Sequence, residues 1–111
     1  MIHVIATVEL HSGARERFLR EFHKIVPDVR AEKGCIEYGA AIDVPSGLPP
    51  QIPLRSDDVV IVEKWSTVEA LLAHSQSAHI QTYRERIKPF VIRTTLQVLI
   101  PVDRVAGAVE S

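Results

Sequence analysis

The sequence predicts an α+β domain in which an antiparallel sheet carries helices on one face, in the order β-α-β-β-α-β. Three observations predict it. Apolar residues alternate at period two in three segments rich in β-branched side chains. Apolar residues recur at spacings of three and four in the stretches between them. The 111-residue length allows about one domain, with 46% hydrophobic and 24% charged residues, an ordinary globular composition.

Residues 2–10 alternate. Ile2, Val4, Ala6 and Val8 share one face, and His3, Ile5, Thr7 and Glu9 the other. This is a strand. His11-Ser12-Gly13 breaks it, and Ser12 is the expected cap of the helix that follows. Residues 14–31 form that helix, with Phe18, Phe22, Ile25 and Val29 as its apolar stripe. Pro27 removes one backbone donor, which predicts a kink or a weakened last turn. Gly34 ends the segment by supplying a left-handed residue. Residues 35–43 read as a second strand, weakened by Gly39.

Residues 44–57 hold four of the seven prolines and little regular structure, which suggests a lid, a subunit contact or a tolerated insertion. Residues 58–65 are the clearest strand. Residues 67–76 follow as a helix capped by Ser66 or Thr67, with Ser66 and Glu69 spaced for a capping box. Residues 78–91 are helical, with Ile80, Tyr83, Ile87 and Val91 along one side and Pro89 ending or bending them. Residues 93–101 form the last strand, and residues 104–111 a frayed tail behind a single domain at 1–103.

This order is the ferredoxin-like arrangement. Ile2, Val4, Val60, Val62, Leu96 and Val98 put apolar side chains on both sides of the strands, while the helices suffice for one side. A second copy of the chain is the economical cover, so a homodimer is expected.

Composition excludes several classes. Thirteen basic and fourteen acidic residues give a net charge of -1, too weak a field to hold nucleic acid or an anionic membrane. The single cysteine, Cys35, forms no internal disulfide or thiolate cluster, and an inert buried thiol in a reducing cytoplasm is expected. The first residues lack the pattern of a signal peptide, and no apolar run approaches the length of a membrane span. The five histidines show no metal-motif spacing. No phosphate loop or nucleophile elbow occurs, so no metal or other cofactor is expected.

Two segments carry a family resemblance. DVVIVEKWSTVEALLAHSQSAH, residues 58–79, presents a strand ending in Glu63-x-Trp65, then Glu69-Ala70-Leu71, His74, Ser77 and His79. Upstream, VRAEKGCIEY at residues 29–38 supplies Gly34, Cys35 and Tyr38. Together, in this order, they resemble the antibiotic biosynthesis monooxygenase family. The resemblance implies a dimeric α+β barrel in which two sheets pack face to face. It also implies oxidation of a small phenolic or quinol-type aromatic molecule by O2 without metal or flavin, the substrate itself being the electron donor. Such chemistry needs a base and groups that stabilise the substrate anion. Haem-degrading relatives of this fold use an asparagine on the first strand, a tryptophan in the helix and a later histidine. The corresponding positions here are Thr7, His74 and Arg84, and all three depart.

Each candidate residue has a functional and a packing role to weigh. Trp65 is either an aromatic pocket wall or a core filler whose indole N–H finds a partner. His74 sits near the apolar side of its helix, where an imidazole serves as a base near neutral pH or as a satisfied half-buried group. His79 is a second candidate or an exposed cap. Arg84 either steadies an anion or belongs to a solvated face with Arg86 and Lys88. Tyr83 is packing or a pocket hydroxyl. Glu63, on an inward face, needs a partner, and a structural ion pair is the expected one. Thr7 and Glu9 are expected to add polar groups to the same cavity. The expected site is therefore catalytic His74, Trp65 and Arg84, with Trp65, Tyr83, Thr7, Glu63 and His79 around the substrate. The competing function is a dimer that binds a small apolar or aromatic ligand without chemistry.

Overall fold

The computed structural model describes residues 1–102; the expected frayed tail lies outside the described residues. Strand β1 (Ile2–Leu10) leads into helix α1 (Arg15–Arg30), then β2 (Cys35–Ala41) and β3 (Asp58–Trp65). Helices α2 (Val68–Gln76) and α3 (Ala78–Ile87) follow, then a 3-10 turn at Lys88–Phe90 and β4 (Val91–Leu99). The four strands form one sheet in the order β2-β3-β1-β4, with every pairing antiparallel. The fold is ferredoxin-like α+β, as the alternation and helical stripes predicted.

Strand parity decides which face is covered. Ile2, Val4, Ala6, Val8 and Leu10 are all buried, whereas the intervening residues of β1 are half-exposed. Ile2 pairs with Trp65, Val4 with Glu63, Ala6 with Ile61 and Val8 with Val59, so the buried sets of β1 and β3 share the helix side. Phe18, Phe22, Ile25 and Val29 close the core from α1, joined by Ile80 and Tyr83 of α3. Phe22 stacks on Tyr38 with centroids 5.3 Å apart, and both Phe18 and Phe22 meet Tyr83 edge-on at 6.3 Å.

Pro27 does not end α1, which continues to Arg30; the Pro27 carbonyl still accepts from Ala31 N–H at 3.1 Å. Ser12 is not the cap. Ala14 holds that position without a side-chain bond, and Gly13, at φ +77°, directs its N–H to Asp57 Oδ1 at 3.1 Å. For α2 the cap is Thr67, whose Oγ1 accepts from Ala70 N–H at 3.1 Å. With the cap one residue later, Ser66 and Glu69 are out of register for the expected box. Pro89 ends α3 within the 3-10 turn, and β4 begins two residues earlier than its alternation suggested.

The proline-rich segment is closed at its base. Arg55 clamps Asp43 through Nε and a terminal nitrogen at 2.9 and 2.8 Å, and these bonds hold the Asp43 carboxyl down at about 2. Arg15 adds bonds of 2.7 Å to the carbonyls of Arg55 and Asp58. Val44, Leu48, Ile52 and Leu54 remain exposed beyond this clamp.

The helices cover the sheet incompletely. Leu96 and Val98 pair with Ala6 and Val4, which puts them on the helix side, yet they are 58% and 49% exposed because β4 is an edge strand beyond the reach of the helices. On the opposite face, Ile5, Val60 and Val62 form an apolar strip that is only half-buried.

Candidate active site

The site is assembled where the end of α1, the inner face of β3 and the two short helices meet. Val29 anchors the last turn of α1 in the core, and the chain then turns through Glu32, Lys33 and Gly34 into β2. Gly34 adopts φ +85°, and its carbonyl accepts from Ser66 N–H at 2.8 Å. That bond ties the turn to the β3–α2 junction and brings Glu32 beneath α2.

His74 is the polar residue that α2 buries, at 6% exposure. Its ring lies 4.7 Å from the Trp65 ring and 5.5 Å from that of Tyr38. Its Nδ1 is 2.9 Å from Glu32 Oε2. An ionised carboxylate only accepts, so Nδ1 is the donor in this bond. His79 reaches the same Oε2 through its Nε2 at 2.7 Å. One carboxylate oxygen thus bridges two imidazoles from successive helices.

Beside this group is a cavity of about 340 Å³, a size that suits a small ligand. Tyr38, Ile61, Glu63, His74, Tyr83 and Arg84 are among its lining residues. The Tyr83 hydroxyl is buried and has no hydrogen-bond partner among the described residues. Burial pushes the Tyr38 and Tyr83 phenols well above their ordinary range, so both stay protonated as donors. Arg84 is exposed at the rim, fixed by a 3.0 Å bond to the Ser75 carbonyl. A larger groove of about 610 Å³ runs past Lys33, Ser66, Glu69 and Ala73. It does not include His74, and neither Lys33 nor Glu69 is buried.

The predicted residues are placed unequally. His74, Glu63, Tyr83 and Arg84 come together around the cavity. His79 stands behind His74, on the far side of Glu32. Trp65 is fully buried behind His74 and is not in the cavity wall; its indole N–H donates to Glu63 Oε1 at 2.9 Å. Glu63 forms no ion pair among the described residues, so the indole is its partner where an ion pair was expected. Thr7 and Glu9 are on the opposite face of the sheet, outside this cavity; Glu9 instead pairs with Arg93 at 2.7 Å. Cys35 is half-buried where a buried thiol was expected, and burial raises its thiol pKa. Glu32 was missed, because 42 and 47 residues separate it from its two partners.

Glu63 sets up a stability test. Burial raises its pKa, an effect that the indole bond and the nearby His74 only partly oppose. A carboxyl whose folded pKa exceeds its unfolded value burdens the fold once ionised. That burden is absent well below the unfolded pKa and grows as pH rises towards the folded one. Glu63→Gln keeps an oxygen for the indole and removes the charge. The variant is expected to melt above the unaltered protein at pH 7, with the difference vanishing below roughly pH 4. A lower melting temperature at both pH values would contradict this account.

Comparison with known proteins identifies the family. The sequence profile of the antibiotic biosynthesis monooxygenase family matches residues 1–86. The Escherichia coli K12 protein YgiN, named a probable quinol monooxygenase, is 34% identical over 103 residues, covering 91% of this chain and 98% of YgiN. The fold is shared with Rv0793 from Mycobacterium tuberculosis at TM-score 0.75 and 24% identity, covering 95% of this chain and 98% of that one. It is also shared with PA3566 from Pseudomonas aeruginosa at TM-score 0.75 and 22% identity, over 92% and 94% of the two chains. The two quoted motifs, the sheet order and the profile match all agree: the chain belongs to the antibiotic biosynthesis monooxygenase family.

Proposed function

We propose that the protein is a cofactor-independent monooxygenase that oxidises a small phenolic or quinol-type aromatic molecule with O2. The observation that carries this reading is His74, buried at the wall of the 340 Å³ cavity with Nδ1 held by Glu32 and Nε2 without a partner among the described residues. Nε2 takes a hydroxyl proton from the substrate. The resulting imidazolium, the Tyr83 O–H and, at the rim, Arg84 stabilise the substrate anion. The anion is electron-rich enough to reduce O2. One quinol and one O2 give one hydroxyquinone and one water, so the substrate supplies every electron. The name of YgiN supports the substrate class.

The test is oxygen uptake with reduced quinols and simple phenols, set against autoxidation without protein. Uptake above that background, with a hydroxylated quinone as product, is expected. A quinol that binds without any added oxygen uptake would instead mark a ligand-binding protein without chemistry.

The working unit in this reading is a homodimer in a dimeric α+β barrel. Its support is the apolar strip Ile5, Val60 and Val62 together with the exposed Leu96 and Val98. Light scattering at micromolar concentration is expected to give a mass near twice 12.4 kDa; a clean monomer would overturn the assembly. No helix among the described residues is long and apolar enough to cross a membrane. The free Cys35 thiol fits the cytoplasmic location we infer.

A further inference from the structure

We propose that Glu32, His74 and His79 form a binding site for a first-row divalent cation of the zinc type. The turn after α1 supplies the carboxylate, and α2 and α3 supply one imidazole each. One ligand atom from each residue lies within 4.8 Å of the others. Two imidazoles and one carboxylate are a donor set that first-row metals accept, with positions left over for water or a ligand. Magnesium and calcium prefer all-oxygen surroundings and suit it poorly.

The geometry needs an adjustment at the carboxylate. Donors at about 2.0–2.2 Å from a tetrahedral metal stand roughly 3.3 Å apart. The carboxylate oxygen is now 2.9 and 2.7 Å from its two nitrogens, the spacing of hydrogen bonds. Those contacts must open by about half an ångström as the cation displaces their protons. The parts that have to move are able to. Glu32 is on a turn outside any helix, and the His79 side chain is 29% exposed, which also opens a path from solvent. His74 stays fixed against Trp65 and Tyr38. The second oxygen, Oε1 of Glu32, forms no hydrogen bond among the described residues and is available as a further donor.

Such a cation would compete with the base chemistry proposed above. Metal on Nδ1 displaces its proton, so a neutral ring carries its proton on Nε2, and the lone pair that the proposed base uses is lost. The metal site itself does not depend on the oxidation reading, and its test uses the metal alone.

Tag-free, chelator-stripped protein is titrated with Co2+. Binding is read from visible absorption of the nitrogen-ligated ion and from emission of Trp65, the single tryptophan, 4.7 Å from the His74 ring. We expect saturation at one Co2+ per chain, displacement by Zn2+ and none by Mg2+. Glu32→Gln and His79→Ala, each with an unchanged circular dichroism spectrum, are expected to weaken binding by roughly 10-fold or more. A Co2+ spectrum no different from the free ion overturns the proposal. So does a folded His79→Ala variant that binds as tightly as the unaltered protein, because the ion would then sit elsewhere, at His3, His11 or His23.

Discussion

Replacing His74 with alanine is expected to lower oxygen-dependent quinol oxidation by roughly 10²-fold or more. His74 borders the cavity, and the only hydrogen bond of its ring among the described residues is through Nδ1 to Glu32, which leaves Nε2 for the substrate. Removing the ring removes that acceptor. It also opens space against Trp65 and Tyr38, so the rate has to be read beside a melting curve. Glu32→Gln separates the two effects. It leaves the imidazole in place but takes away the charge that holds the Nδ1 proton, and a smaller loss, on the order of 10-fold, is expected. Tyr83→Phe should raise KM more than it lowers kcat if the hydroxyl mainly holds the bound molecule. Full activity in a folded His74→Ala variant would remove His74 from the mechanism and move the base to another group or to ionisation of the substrate itself.

The parts of this site differ in how far the sequence reveals them, and the reason is geometric. Alternation in β1 and β3 defines two faces of a strand, which is why the strands and their core residues are readable. It does not say which face the helices cover. Thr7 and Glu9 were therefore assigned to the cavity, although the helices lie on the side of Val4, Ala6 and Val8. Helical periodicity placed His74 on the inner side of α2 and Tyr83 on that of α3, and both assignments agree with their burial. Trp65 has the right parity, but depth within a core is a tertiary property. The ring came to rest behind His74, where it packs and donates to Glu63. Glu32 carries no local signal, since it follows a helix that looks complete without it. Only the closure of the β-α-β-β-α-β chain brings it to His74 and His79. The same distance hides the full group from a search by spacing: His74 and His79 are five residues apart, but the carboxylate is 42 and 47 residues from them.

Replacing Gly34 with alanine is expected to destabilise the fold by roughly 2–5 kcal/mol. Two costs act together. Gly34 has φ +85°, a backbone conformation that side chains with a Cβ adopt only under strain. A Cβ built there would also stand 2.6 Å from Ala70 Cβ and 2.6 Å from Ser66 Oγ. Ala70 is part of helix α2 and has no flexible end to swing aside, so relief requires the turn and the helix to separate. That separation pulls on the 2.8 Å bond from Ser66 N–H to the Gly34 carbonyl, and Glu32 is only two residues away. The variant should therefore lose more than melting temperature: Glu32 drifts from His74, and oxidation falls even at temperatures where the protein remains folded. Gly13→Ala is the matched control, because Gly13 also has positive φ, at +77°, but a Cβ there meets nothing within 4 Å. It is expected to cost only the backbone strain, about 1–3 kcal/mol, and to leave the rate of the folded protein unchanged. Equal melting temperatures and equal rates in the two variants would show that the close packing of Gly34 against α2 does not position the site.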